Sequence, residues 1–325
     1  MTRQSLPRSA NTLSESSNAH SLSSNSLDDK SVNNSSFTAS LVFGTQLLLS
    51  ATVGLAQAQP ASNGGRCGEV MMIQSHDSST TRYAFVPPSK PEKQGSPITM
   101  VLLPGGSGHV NLDDHGCPRG LKGNSLVRSI PIFNAAGFGT ALIDADAPSD
   151  FHGEDGLGGF RTAAQHAEDL GKVIANLRTH TQGIVWVVGT SRGSISAANA
   201  ASRLSGPSAP DGIVLTSALM SGQSTAKKAW VAQTVFDLPL ENIRIPLLVI
   251  GHAADKCLRS PPDAMGRITA RTRAIRQQVV TVIGGPGYDG PPSLNACEGR
   301  APHGFVDQEA EVAAGIARFI RGEKY

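Results

Sequence analysis

Three side chains far apart in the sequence have the types that acyl transfer needs. Ser191 lies in Gly189-Thr190-Ser191-Arg192-Gly193, Asp255 in Gly251-His252-Ala253-Ala254-Asp255-Lys256-Cys257, and His303 in Ala301-Pro302-His303-Gly304-Phe305. A serine hydroxyl attacks a carbonyl only when a base takes its proton, and the base works best when a carboxylate orients it. A G-x-S-x-G match alone is weak in a chain with 35 glycines. Its setting strengthens it: a short apolar run, 184–188, comes just before, and a small-residue segment, 194–201, reads as a helix just after. A serine on so tight a strand-to-helix turn projects above the sheet edge, at the head of a helix whose N–H groups favour negative charge. The bland alternative is a glycine-rich turn carrying an inert serine.

The elements that would position these residues follow from hydrophobic patterning. Residues 69–74 and 81–86 flank a Ser/Thr-rich turn and predict an antiparallel hairpin. Runs at 98–103, 140–143, 184–188, 213–215, 247–250 and 279–282 are short and continuously apolar, as expected of strands buried on both faces of a parallel sheet. Amphipathic segments at 126–136, 163–177, 195–204, 262–275 and 308–320 predict helices. The alternation predicts βαβ units in a single α/β domain. Asp255 follows the strand at 247–250 and His303 follows the last strand, so both fall at strand carboxyl ends, where α/β proteins gather their ligands.

Residues 98–320 therefore resemble an α/β-hydrolase of the serine esterase and dienelactone-hydrolase-like type, in which the chain order is Ser, Asp, His. The resemblance implies the α/β-hydrolase fold: a mostly parallel central sheet, helices on both faces and a small or absent cap. It implies Ser191 as nucleophile, Asp255 as the orienting acid and His303 as base. His252 is a rival base but shares a loop with Asp255, and Asp263 is a rival acid that sits in a better helix opening. His166 and His180 read as exposed polar positions.

The segment Pro104-Gly105-Gly106-Ser107-Gly108-His109 ends the first long parallel strand, where such enzymes keep a glycine-rich oxyanion loop. Gly106 is the first candidate donor there, Ser107 the next, and the N–H of Arg192 the second donor. Neither a Walker pattern nor G-x-G-x-x-G is present, which argues against a phosphate cradle, while a plain glycine turn stays open. Residues 144–161 form an acidic, glycine-rich stretch read as a solvated pocket rim; it lacks regular metal-ligand spacing. No metal and no cofactor is expected.

The remaining features concern compartment and partners. Residues 1–36 hold 17 Ser or Asn and no apolar period, and predict a disordered extension. Residues 37–58 are uncharged and end in Ala56-Gln57-Ala58, which predicts a signal-peptide hydrophobic region cleaved near Ala58, leaving 59–325 as the hydrolase domain. The hydrophobic region is too broken by polar residues for a stable membrane span. All four cysteines follow the predicted cleavage point, and export would permit two disulfides in any of three pairings. Cys257 lies close to Asp255 and Cys297 close to His303, so a Cys257–Cys297 bridge would tie the two catalytic loops together and leave Cys67 with Cys117. The net charge of +2 and the absence of a basic run exclude electrostatic nucleic-acid binding. The expected activity is hydrolysis of a small-molecule ester by an exported, periplasmic or secreted enzyme. A peptidase, thioesterase or acyltransferase would use the same machinery, and a non-catalytic binding protein on this scaffold is the alternative of another class.

Overall fold

Alternate residues of each central strand face opposite layers, and here both layers are apolar. Met100 and Leu102 join one buried cluster, Val101 and Leu103 the other. The computed structural model describes residues 65–89, 95–146, 156–223, 225 and 228–325, without the side chains of 229 and 230. The predicted extension at 1–36, the signal region at 37–58 with its cleavage point near Ala58, and most of the acidic rim (147–155) lie outside the described residues.

One eight-stranded sheet runs through the described residues. Its strands are β1 (Glu69–Gln74), β2 (Thr80–Val86), β3 (Ile98–Leu103), β4 (Gly139–Asp144), β5 (Ile184–Thr190), β6 (Gly212–Thr216), β7 (Leu247–His252) and β8 (Gln277–Val282). The spatial order is β1-β2-β4-β3-β5-β6-β7-β8. The β1–β2 hairpin and the β2–β4 pair are antiparallel, and every later pairing is parallel. Helices α2 (Ala164–Thr181) and α3 (Gly193–Arg203) cover one face, with Leu170, Val173, Leu177 and Ile195 in its cluster. Helices α1 (Ser125–Ala135) and α5 (Glu309–Ile320) cover the other through Leu126, Phe133, Ile316 and Phe319. Each such side chain removed from water contributes about 1.5–3 kcal/mol.

The helix predicted over 262–275 is not continuous. A single 3-10 turn, Pro262–Ala264, leads into a one-turn helix, α4 (Gly266–Thr269). Two local causes are visible. The Thr269 and Thr272 hydroxyls donate to Gly266 O and Thr269 O, competing with helical bonding. The N–H groups of Arg273 and Ile275 donate to Ile243 O and Arg244 O in the segment before β7. Among the described residues no helix is long and apolar enough to cross a membrane.

Candidate active site

Ser191 occupies the turn between β5 and α3 with φ 52°, a left-handed conformation that is strained for a residue bearing a Cβ. The turn closes because its flanking glycines touch backbone. A Cβ on Gly189 would lie 2.3 Å from Gly193 O, and one on Gly193 would lie 1.9 Å from Leu103 O. The Ser191 N–H donates to Thr216 O on the neighbouring strand (2.9 Å), and the Ser194 hydroxyl donates to Ser191 O (2.6 Å).

The Ser191 hydroxyl lies 2.9 Å from His303 Nε2, and His303 Nδ1 lies 2.9 Å from Asp255 Oδ2. With Nδ1–H donated to the carboxylate, Nε2 is left as the acceptor facing the serine. Asp255 and His303 are both buried. The second Asp255 oxygen accepts the Cys257 N–H at 2.8 Å, and the Ser260 hydroxyl donates to Oδ2 at 3.2 Å while lying 3.0 Å from His303 Nδ1. The buried carboxylate is thus hydrogen-bonded on both oxygens.

His303 sits on a 3-10 turn, Pro302–Gly304, well away from the sheet's regular hydrogen bonding. Three devices hold it. The Ser217 hydroxyl donates to His303 O at 2.7 Å. Arg128, on α1, donates to Gly123 O, to Gly299 O (2.8 Å) and to Gly304 O (2.8 Å), and its charge is met by Glu309 at 2.6 Å. The third is the disulfide Cys257–Cys297, with Cα atoms 4.5 Å apart, which joins the acid loop to the histidine loop. Cys67–Cys117 forms the second bridge.

A cavity of about 210 Å³ opens beside the serine, lined among others by Gly105, Gly106, Leu121, Gly123, Ser191 and His303. Gly105 and Ser191 are in close approach, since a Cβ on Gly105 would fall 3.3 Å from the Ser191 Oγ. Gly106, at φ 59°, lines the cavity, and among the described residues no acceptor meets its N–H. Ser107 is turned into its own loop: its hydroxyl accepts the His109 N–H and its carbonyl the Leu157 N–H. Arg192 stands directly after the serine, just ahead of α3.

No family model matches this sequence, and no curated protein matches it either. Solved structures do match in shape. The apo form of Thermogutta terrifontis esterase 2 aligns with 79% of this chain and 96% of its own at 14% identity and a TM-score of 0.50. A puromycin hydrolase S511A mutant complexed with PGG aligns with 79% of this chain at 13% identity and a TM-score of 0.53; this chain spans 39% of it. A protein from Xanthomonas campestris, described as an α/β serine hydrolase without lid, aligns with 78% of this chain and 93% of its own at 14% identity and a TM-score of 0.48. The chain has the α/β-hydrolase fold.

Within that fold the other candidates take different places. His252 is buried, its Nε2 2.8 Å from Gln308 Oε1 and its Nδ1 accepting the Ala254 N–H. Asp263 is exposed in its 3-10 turn. His166 corrects the expectation of an exposed residue: it is 1% exposed, with Nε2 2.8 Å from the Ser196 hydroxyl. Burial, then the Arg161 and His76 charges, pull its pKa down to about 3. Asp144 is no free rim carboxylate, since it accepts the N–H groups of Val110, Asn111 and Leu112 at 2.8–3.1 Å. Asp255, Cys257 and His303 bring possible metal-ligating atoms within 4.8 Å of one another, but the sulfur is bridged and offers no thiolate. The reading of the sequence missed Ser260 and Arg128, and it placed Arg161 in a solvated rim, whereas the described end of that stretch is buried, with Leu157 at 3% and Phe160 and Arg161 at 1% exposure. None lies in a motif, and the first two each join a near group to one 40 or more residues away: Asp255 to His303, and Gly123 to Gly299 and Gly304.

Proposed function

We propose that this chain is a serine hydrolase that cleaves a small-molecule carboxylic ester through an acyl-enzyme. The observation that carries the reading is the unbroken hydrogen-bonded series Ser191–His303–Asp255, opening on a cavity edged by a glycine loop. Ser191 Oγ attacks the ester carbonyl carbon as His303 Nε2 takes its proton, and Asp255 stabilises the imidazolium. The carbonyl oxygen becomes an oxyanion facing the N–H groups of Gly106 and Arg192. Collapse expels the alcohol, which receives the proton from His303. Water, deprotonated by the same imidazole, then attacks the acyl-serine and releases the acid.

The alignments with an esterase and with a puromycin hydrolase support a hydrolase and leave the scissile bond to experiment. Incubation with a fluorophosphonate should label wild-type protein at Ser191 and leave Ser191→Ala unlabelled. A folded wild type that takes no label would end this reading. Aryl esters of increasing acyl length should be cleaved and matched anilides should not; faster anilide cleavage would favour a peptidase.

We also infer that the protein is exported, with its leader cut near Ala58 and residues 59–325 as the working domain. Two disulfides support this, since such bridges persist in oxidising compartments. N-terminal sequencing of secreted material should begin near Gln59; recovery of full-length protein in the cytosol alone would contradict it.

A further inference from the structure

Arg161 is the largest fully buried side chain of the described protein, at 1% exposure, and its guanidinium lies under the glycine-rich loop that edges the cavity. Nη2 donates to Pro104 O at 3.2 Å and approaches Gly106 O at 3.5 Å; Nη1 donates to the Ser196 hydroxyl at 2.8 Å. The loop rests closely on it, for a Cβ on Gly108 would fall 2.6 Å from Nη2. Its own backbone is fastened to α3, where Asn199 Nδ2 donates to Arg161 O and Ala163 O. Among the described residues no carboxylate pairs with it, and its Nε is buried without a partner. Burial, and then the Arg192 charge, draw its pKa downward, as expected where a cation is uncompensated.

A buried cation with no carboxylate beside it among the described residues is costly; the neutral oxygens of Pro104, Gly106 and Ser196 offset part of that cost, and negative charge coming near would offset more. Ser196 lies on the helix that begins at the nucleophile, and Pro104–Gly106 is the loop beside it. The one place near this guanidinium where the proposed reaction creates negative charge is the oxyanion above Gly106. We propose that Arg161 is a positioning residue for the reaction, fixing the oxyanion loop from behind and supplying a buried positive charge that meets no carboxylate among the described residues and is complemented when the tetrahedral oxyanion forms. The inference rests on the serine-hydrolase reading. It adds to the backbone donors a charge set one layer behind them, which favours the transition state over bound ester.

The test compares Arg161→Gln, which keeps donors and loses charge, with Arg161→Lys, which keeps charge and loses the fork. Direct oxyanion donors are worth about 10²–10³ in kcat, so a charge one layer back should be worth about 10- to 100-fold. R161Q is expected to lose that much kcat with KM nearly unchanged, and R161K to lose less. Binding of a trifluoromethyl ketone, which forms an anionic hemiketal on Ser191, should weaken in R161Q by the same factor as kcat. A merely structural clamp would instead lower thermal stability in both variants and leave ketone affinity out of step with kcat, overturning the proposal. R161Q equal to or faster than R161K would also overturn it. If R161Q does not fold, Ser196→Ala serves: it keeps the charge, frees one anchor, and should reduce kcat several-fold with KM unchanged, whereas unaltered kcat would refute the idea. Fluorophosphonate labelling of wild type in the same preparation separates the two claims. Absent labelling defeats the hydrolase reading and this inference with it; normal labelling with unaffected variants defeats the inference alone.

Discussion

The two halves of the candidate active site are held by different physics. Ser191 rides on β5, which is buried in the apolar core, and on α3, and its turn is locked by backbone packed against backbone at Gly189 and Gly193. Asp255 and His303 ride on loops beyond the sheet and are held by side-chain cross-links: a disulfide, the Arg128 fork, and the Ser217 and Ser260 hydroxyls. The strand and helix fix Ser191 mainly through backbone, with the Ser194 hydroxyl as a local side-chain tie. Asp255 and His303, lacking that support, are restrained by side chains from other elements.

Chemistry gives the largest expected effects. Ser191→Ala should lower kcat by about 10⁶, and Asp255→Asn by about 10⁴ because the imidazole loses its tautomer control. Steady-state kinetics on a short aryl ester would check both, and a serine variant with near-normal turnover would remove the nucleophile half of the comparison.

The two disulfides provide a sharper contrast. They span 50 and 40 residues, so replacing either pair by serine should cost a similar 2–4 kcal/mol or so, read by denaturant titration. Only the Cys257/Cys297 double variant should also lower kcat, because only that bridge joins the acid loop to the histidine loop. Equal kcat in the two double variants would show that the loops hold their geometry without it. Ser260→Ala, which removes one donor to Asp255, should reduce kcat by a factor of about 5–10, the value of one hydrogen bond. An unaltered pH–rate profile and rate would demote Ser260 to filling space.

A substitution in the layer beneath Ser191 should leave turnover near neutral pH alone. His166 has its folded pKa lowered to about 3 from an ordinary 6.5, so below pH 6.5 the unfolded chain binds a proton that the native state refuses. Stability from this group is complete above pH 6.5 and is lost as pH falls toward 3. Thermal melts of His166→Gln should show a shallower acid decline than wild type; parallel curves would contradict the assignment.

The same contrast governs how much was legible in the sequence. The strands were readable because two-sided burial writes continuous apolar runs, and the elbow because tight backbone approach demands glycine. The His303 loop was located by its place after the last strand, and the bridge by the proximity of cysteine to acid and base in the chain. The restraints Arg128 and Ser260 and the burial of Arg161 were not legible, since a side chain bound to groups distant in the chain leaves no period or motif. His166 did leave a trace that was passed over: it stands four, seven and eleven residues before Leu170, Val173 and Leu177, on the buried face of α2. The segment 262–275 failed in the opposite sense, because its apolar spacing resembled a helix while its threonines and its pairing with 243–244 undid one.

Arg128 grips three glycines, and they differ in how much change they tolerate. A Cβ on Gly299 would fall 2.2 Å from Gly123 O, and one on Gly304 would fall 1.9 Å from Gly299 O, so both positions are closed to any side chain. At Gly123 the nearest obstacle is Arg300 Cγ at 3.7 Å, an ordinary contact. Divergence toward a narrower substrate range therefore has one open door in this wall, and selection acting on the pocket would be expected to pass through position 123 while its two neighbours stay frozen.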